Sequence, residues 1–102
     1  MNKVLSLLGL ACRAGAVLSG EFSVENAVKK GKAKLCIIAV DASDNTRKLF
    51  HDKCSSYNVP IIETGTKEEL GKSMGKEMRA SLSITDQGFA KSVNKLLQEV
   101  VQ

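Results

Sequence analysis

Gly31-Lys-Ala-Lys-Leu-Cys-Ile-Ile-Ala-Val-Asp-Ala-Ser43 is the stretch that decides the fold. Residues 35–40 are an unbroken apolar run of strand length. A strand that is apolar on both faces is covered on both faces, so the run predicts a central strand of a sheet with helices on either side. Gly31 just upstream is the expected residue past the end of a helix. That helix is predicted over 21–30, with Val24, Ala27 and Val28 on one face. Ser19 and Gly20 are acceptable residues for its N-terminal cap. Before them, residues 16–18 read as a short extended piece bracketed by Gly15 and Gly20, and residues 3–14 as a helix.

Downstream, the pattern alternates in the same way. Asp44 is predicted to cap a helix carrying Leu49, Phe50, Cys54 and Tyr57, which Asn58 and Pro60 end. Residues 59–63 read as a strand. Thr66 with Glu69 reads as a capping box opening a short helix that Gly75 closes. Residues 80–84 alternate Ala80, Leu82 and Ile84 against Ser81 and Ser83, the period of a strand. Asp86 opens a last helix whose Phe89, Val93, Leu96, Leu97 and Val100 form an amphipathic face. Helices between strands require crossover connections. The expected fold is α/β, a three-layer α-β-α sandwich with three full strands and one short one.

The chain has 102 residues, a formal net charge of +4, 43% hydrophobic and 25% charged residues. That length suits one domain with its own core, and the balance excludes a disordered, collagen-like or rod-like chain. No apolar run approaches the ~18 residues of a membrane span. The short apolar piece 4–11 continues into the helical pattern through Arg13, so it reads as structure rather than a targeting segment. Cys12, Cys36 and Cys54 are odd in number and form no C-x-x-C, which predicts a reducing cytoplasm and no disulfide framework.

The residues offer little catalytic chemistry. His51 has no carboxylate near it in sequence except Asp52, which projects from another side of the helix. It reads as an exposed helix histidine. A dyad with Cys54 is excluded by the place of Cys54 on the apolar face. Gly65-Thr-Lys-Glu-Glu-Leu-Gly71-Lys72-Ser73 imitates a phosphate-binding loop, but five residues separate its glycines where the motif needs four. Its Gly-Lys-Ser also ends a helix, whereas phosphate binding needs the free amides of a helix start. No metal, cofactor or small-molecule substrate is expected, and no catalytic residue.

What remains is the segment 13–34, with five basic residues, Arg13, Lys29, Lys30, Lys32 and Lys34, against two acids, Glu21 and Glu25. Lysines at a helix end complement its dipole, and they also suit phosphate. At the other end of the same helix, Gly20 permits a close backbone approach, among the polar Ser19, Ser23 and Asn26. Phe22 lies opposite Val24 and Val28, as either a staple onto a neighbouring loop or a platform for stacking a base.

Arg13-Ala-Gly-Ala-Val-Leu-Ser-Gly20, Ala27-Val-Lys-Lys-Gly31, Lys32-Ala-Lys-Leu-Cys-Ile-Ile-Ala-Val-Asp-Ala-Ser43, Asn58-Val-Pro60 and Leu70-Gly71-Lys72 followed by Gly75-Lys76-Glu77 occur in order along the chain. This ordered set resembles the kink-turn-binding ribosomal-protein superfamily, the large-subunit L-seven-Ae and L-thirty-e type. With Asp44-Asn-Thr46, Asp52-Lys-Cys54 and Thr85-Asp-Gln-Gly-Phe-Ala90, it is most similar to the bacterial YlxQ branch. The resemblance covers almost the whole chain. It implies an L-thirty-e-like fold with a central mixed sheet, a single RNA-binding domain over 1–102, and no catalysis. The implied partner is structured RNA, ribosomal or ribosome-associated, bound at a kink-turn, a sharply bent element with sheared G·A pairs. A protein-interaction module on the same fold is the alternative.

The resemblance also implies a site. In the family the start of the second helix enters the widened groove of the RNA. The usual residues there are Asn-Glu and, after two intervening residues, Lys. Here those positions hold Phe22, Ser23 and Asn26, a departure from the pattern, with Glu21 beside them. The family's second contact, a loop whose apolar residues pack on a flipped-out nucleotide, falls on Lys76, Glu77 and Met78, with Arg79 following. Ser19 and Gly20 complete the helix start, and Arg13, Lys29, Lys32 and Lys34 are expected to meet phosphates.

Overall fold

A computed structural model describes residues 2–101, with side chains described for 3–99. The helices are α1 (Asn2–Arg13), α2 (Glu21–Lys29), α3 (Asp44–Tyr57), α4 (Lys67–Ser73) and α5 (Gln87–Val101). The strands are β1 (Val17–Ser19), β2 (Leu35–Ile38), β3 (Ile61–Glu63) and β4 (Ser81–Ile84). Val100 of the amphipathic pattern lies outside the described side chains.

The four strands form a mixed sheet in the order β1-β4-β2-β3. β2 runs parallel to β3, and β4 runs antiparallel to both β1 and β2. β2 is interior, and all four of its residues are buried, as its two-faced apolar run requires. α2 and α3 pack together on one face, and α1 packs with α5 and α4 on the other. The architecture is therefore the α-β-α sandwich expected. One contiguous cluster, including Leu8, Val28, Ile37, Phe50, Leu82 and Val93, fills both interlayer spaces.

Three local expectations change. β2, β3 and β4 run shorter than the stretches that announce them, at four, three and four residues, while β1 keeps three residues but starts one later, at Val17. The cap of α3 is Ser43, whose hydroxyl accepts from the Thr46 amide, and Asp44 is the first helical residue. Ser83, from the alternating strand, faces no solvent. β4 is the second interior strand, both its serines are buried, and Ser83 Oγ has no hydrogen-bond partner. The capping box of α4 forms in full between Thr66 and Glu69. Gly71-Lys72-Ser73 is consequently the end of that helix, which removes the phosphate-loop reading on structural grounds.

Candidate nucleic-acid interface

The sheet has two ends, and α2 runs from one to the other. At the first end, β1 stops at Ser19 and the chain turns into α2 through Gly20, with φ 93° and ψ 150°. This conformation is essentially open to glycine alone. The Gly20 amide bonds the Ser81 carbonyl at 3.2 Å, which fixes the turn to β4. No side chain caps α2, unlike Ser43 on α3 and Thr66 on α4, so the amides of Glu21, Phe22 and Ser23 are left uncapped.

The loop 75–80 comes to the same end. The Lys76 amide bonds the Gly71 carbonyl at 2.9 Å, and the Arg79 amide bonds the Lys67 carbonyl at 3.0 Å, so the loop is strapped along α4. Gly71 is a contact point, since a Cβ there would lie 1.8 Å from the Glu77 carbonyl oxygen. Arg79 joins loop to helix start. Its Nε donates to Ser19 Oγ at 3.2 Å, while Nη1 donates to the Met78 carbonyl at 3.0 Å. The sequence gives Arg79 no distinguishing signal, because its partner lies 60 residues away.

Two large apolar side chains stand out at this end, Phe22 at 81% exposure and Met78 at 63%. Phe22 therefore staples nothing. Lys72, Lys76, Glu77 and Met78 line a groove of about 850 Å³. Charge here is mixed, with Glu21, Asp41 and Glu77 set against Lys67, Lys76 and Arg79.

The basic residues of 13–34 do not join this group. The nine residues of α2 carry the chain about 13 Å along its axis, to the opposite end of the sheet. The Lys34 amide there bonds the Ile84 carbonyl at 2.7 Å, beside the Thr85–Ala16 and Cys36–Pro60 bonds that close the same end. Lys29 is paired with Glu25 at 3.7 Å, and Lys53 of α3 reaches the same carboxylate. Lys30, Lys32 and Lys34 are exposed. Arg13 lies on the other face, lining with Glu69, Lys72 and Ser73 a groove between α1 and α4. The structure thus brings together Ser19, Gly20, Glu21, Phe22, Ser23, Lys76, Glu77 and Met78. It places Lys29, Lys32 and Lys34 at a second end, with Asn26 half-buried between, and sets Arg13 apart.

His51 and the cysteines have partners the sequence conceals. His51 Nε2 lies 2.6 Å from Glu63 Oε2, across from α3 to β3, and Arg47 Nη2 lies 2.9 Å from the other oxygen. The bond with His51 and the Arg47 guanidinium hold Glu63 below the usual carboxylate range. Cys54 sits beside Cys36 rather than His51. The hydrogen bond between the two sulfurs, together with burial, pushes the Cys36 thiol up, which keeps it protonated and inert. Among the described residues, no group of three or more His, Cys, Asp or Glu is placed to hold a metal ion. No helix among them is long and apolar enough to cross a membrane.

The fold and the sequence together define a class. The chain belongs to the Ribosomal protein L7Ae/L30e/S12e/Gadd45 family, whose model matches residues 2–94. Among individual proteins, it is 46% identical over 91 residues to RNA-binding protein YlxQ of Bacillus subtilis (strain 168), covering 89% of this chain and 91% of that one. A more distant relative is large ribosomal subunit protein eL8 of Thermoplasma volcanium, at 29% identity over 102 residues, 99% of this chain and 84% of that one. A solved protein of unknown function from Bacillus halodurans C superposes with a TM-score of 0.92 at 40% identity, covering 96% and 99% of the two chains. The Giardia lamblia 15.5kD RNA binding protein superposes with a TM-score of 0.76 at 28% identity, covering 92% and 84%.

Proposed function

We propose that the chain is a non-catalytic, cytoplasmic RNA-binding protein, a single domain over 1–102 that recognises a kink-turn-like internal loop in ribosomal or ribosome-associated RNA. The observation that carries this reading is the clasp at the first end of the sheet. Arg79 holds the start of α2 against the loop 75–80, and each element presents one exposed apolar side chain. Relatives named for RNA binding, from Bacillus subtilis and Giardia lamblia, support the same reading.

In this scheme the glycine turn at Ser19-Gly20 lets the RNA backbone approach. The uncapped amides of α2, with Ser23 and Asn26, face base edges, and Glu21 accepts from a base amino group. Phe22 and Met78 pack on unstacked bases, the mode by which most sequence-specific RNA recognition proceeds. Stacking and hydroxyl contacts stand where the family's usual charged pair would be. Lys76 meets phosphate beside the loop, with Glu77 shaping the groove, and Arg13, Lys29, Lys32 and Lys34 add phosphate contacts further out.

The test is calorimetric binding to a standard kink-turn RNA and to its G·A-disrupted form, at two salt concentrations. The intact element is expected to bind more tightly, with affinity falling as salt rises. Equal affinity for a straight duplex would overturn the reading. The near balance of charge at this end, with Leu18 and Val40 also exposed there, favours one second reading, a protein partner at the same surface. A partner recovered after nuclease treatment, with no preference for the intact RNA, would establish it.

A further inference from the structure

Resting on the RNA reading above, we infer that the lysine end of α2 is a second and separate RNA surface. It grips the phosphate backbone of a stem while the Gly20–Met78 end holds the loop. The chain then bridges two segments of one RNA.

Charge separates the two ends. Lys29 and Lys53 share the single carboxylate of Glu25, whereas Lys30, Lys32 and Lys34 are exposed and carry no carboxylate partner among the described ion pairs. Lys34 Nζ bonds only the Gly31 carbonyl, at 3.3 Å, which steadies the ammonium without discharging it. A fourth cation, Lys91, comes from α5. Lys34 and Lys91 line, with the amides of Gln87 and Asn94, a dimple of about 70 Å³. That volume holds a few waters or one tetrahedral oxyanion. Leu35, Pro60 and Ala90 complete its lining, so the dimple itself is largely apolar, and what it contributes is the placing of Lys91 of α5 beside Lys34. The neighbouring Asp86 carboxylate is engaged by the Phe89 amide at 2.9 Å.

The two ends suit different parts of an RNA. The glycine turn and the lysines sit at opposite ends of the sheet, about 13 Å apart along α2, so a nucleotide held at the first end does not itself reach the second. The lysine end has charge without a groove for bases. It therefore reads the regular phosphate array of a stem and adds affinity without sequence preference.

The experiment uses the full chain and two RNAs that share one kink-turn, one with a minimal adjoining stem and one with that stem extended. Lengthening the stem is expected to tighten binding by the wild-type protein. The triple variant Lys30→Gln/Lys32→Gln/Lys34→Gln is expected to lose that gain. Its salt slope should fall by roughly 0.7–0.9 for each phosphate contact removed. Phe22→Ala should weaken binding to both RNAs by the same factor and keep the gain from the longer stem. A triple variant that keeps both gain and slope overturns the second surface and leaves loop recognition standing. A wild-type protein that prefers the longer stem but ignores G·A disruption overturns loop recognition and leaves the second surface standing. Absence of binding to either RNA removes both.

Discussion

The two ends of α2 are built on opposite terms. The Gly20 end is held by geometry: a glycine-only turn, a loop strapped to α4, and a guanidinium bonded to two segments. The lysine end is fixed in its backbone through the amides of residues 30–34, but its side chains are not clasped in the same way. Its unpaired cations are exposed, and the bond from Lys34 Nζ to the Gly31 carbonyl is local. The difference follows from what each end would recognise. Reading a shape requires donors and apolar groups fixed in space, whereas attracting a phosphate array requires charge within reach. The first end should therefore be brittle to substitution and the second tolerant.

The largest effect is expected at Gly71. In Gly71→Ala the new methyl meets the Glu77 carbonyl, so helix or loop must move. A loss of about 3 kcal/mol is expected, with a fall in Tm of roughly 12 °C or more, read by circular dichroism. A variant within two or three degrees of wild type would show that the loop is not fixed by this contact. Next comes Gly20→Ala, where an ordinary residue enters a conformation closed to it, at about 1–3 kcal/mol in urea unfolding.

Arg79→Met should cost less, about 1 kcal/mol, because its hydrogen bonds are only partly buried. Its effect on selectivity should be larger than its effect on stability. Preference for intact over G·A-disrupted RNA is the quantity to measure, and an unchanged preference would detach the clasp from recognition. A smaller signal belongs to Glu63. Its carboxyl is lowered in the folded protein by His51 and Arg47. Its contribution is fully present above the ordinary carboxylate value and drains away as pH falls through the lowered one. In Glu63→Gln that slice of acid sensitivity should be absent from stability curves measured between neutral pH and pH 3. At the tolerant end, Lys32→Gln should change stability by no more than about 0.5 kcal/mol. A larger loss would mean that the lysine end is structural after all.

Much of the fold was legible because its signals are local. The apolar run at 35–40, the Thr66–Glu69 box and the glycine at 31 each act within a few residues of where they are read. What was hidden depends on distant partners. His51 looked solitary because Glu63 reaches it only through the packing of α3 on β3. That Ser83 is fully buried is not written in its alternating strand, because the strand's place between β1 and β2 is a fact of topology. Of the candidate site, the helix start and the loop were both readable from the resemblance, but their meeting through Arg79 was not. The lysines are read from sequence at the far end of the helix from Gly20, and the nine residues of α2 set those ends about 13 Å apart. Arg13, counted with them because it is near in sequence, lies on the other face, and nothing local signals that.

The pairing of β1 with β4 has a consequence for the order in which the protein comes into being. β1 has one hydrogen-bonded neighbour, and that neighbour is the last strand of the chain. Until the ribosome has added residues 81 and 82, Ser19 and Gly20 lack the partners they bond. The lysines at 29–34 are made well before. A nascent chain thus carries its positive charge before it can form its shaped surface, which waits for residues 81–84, so attraction precedes discrimination in the life of each molecule.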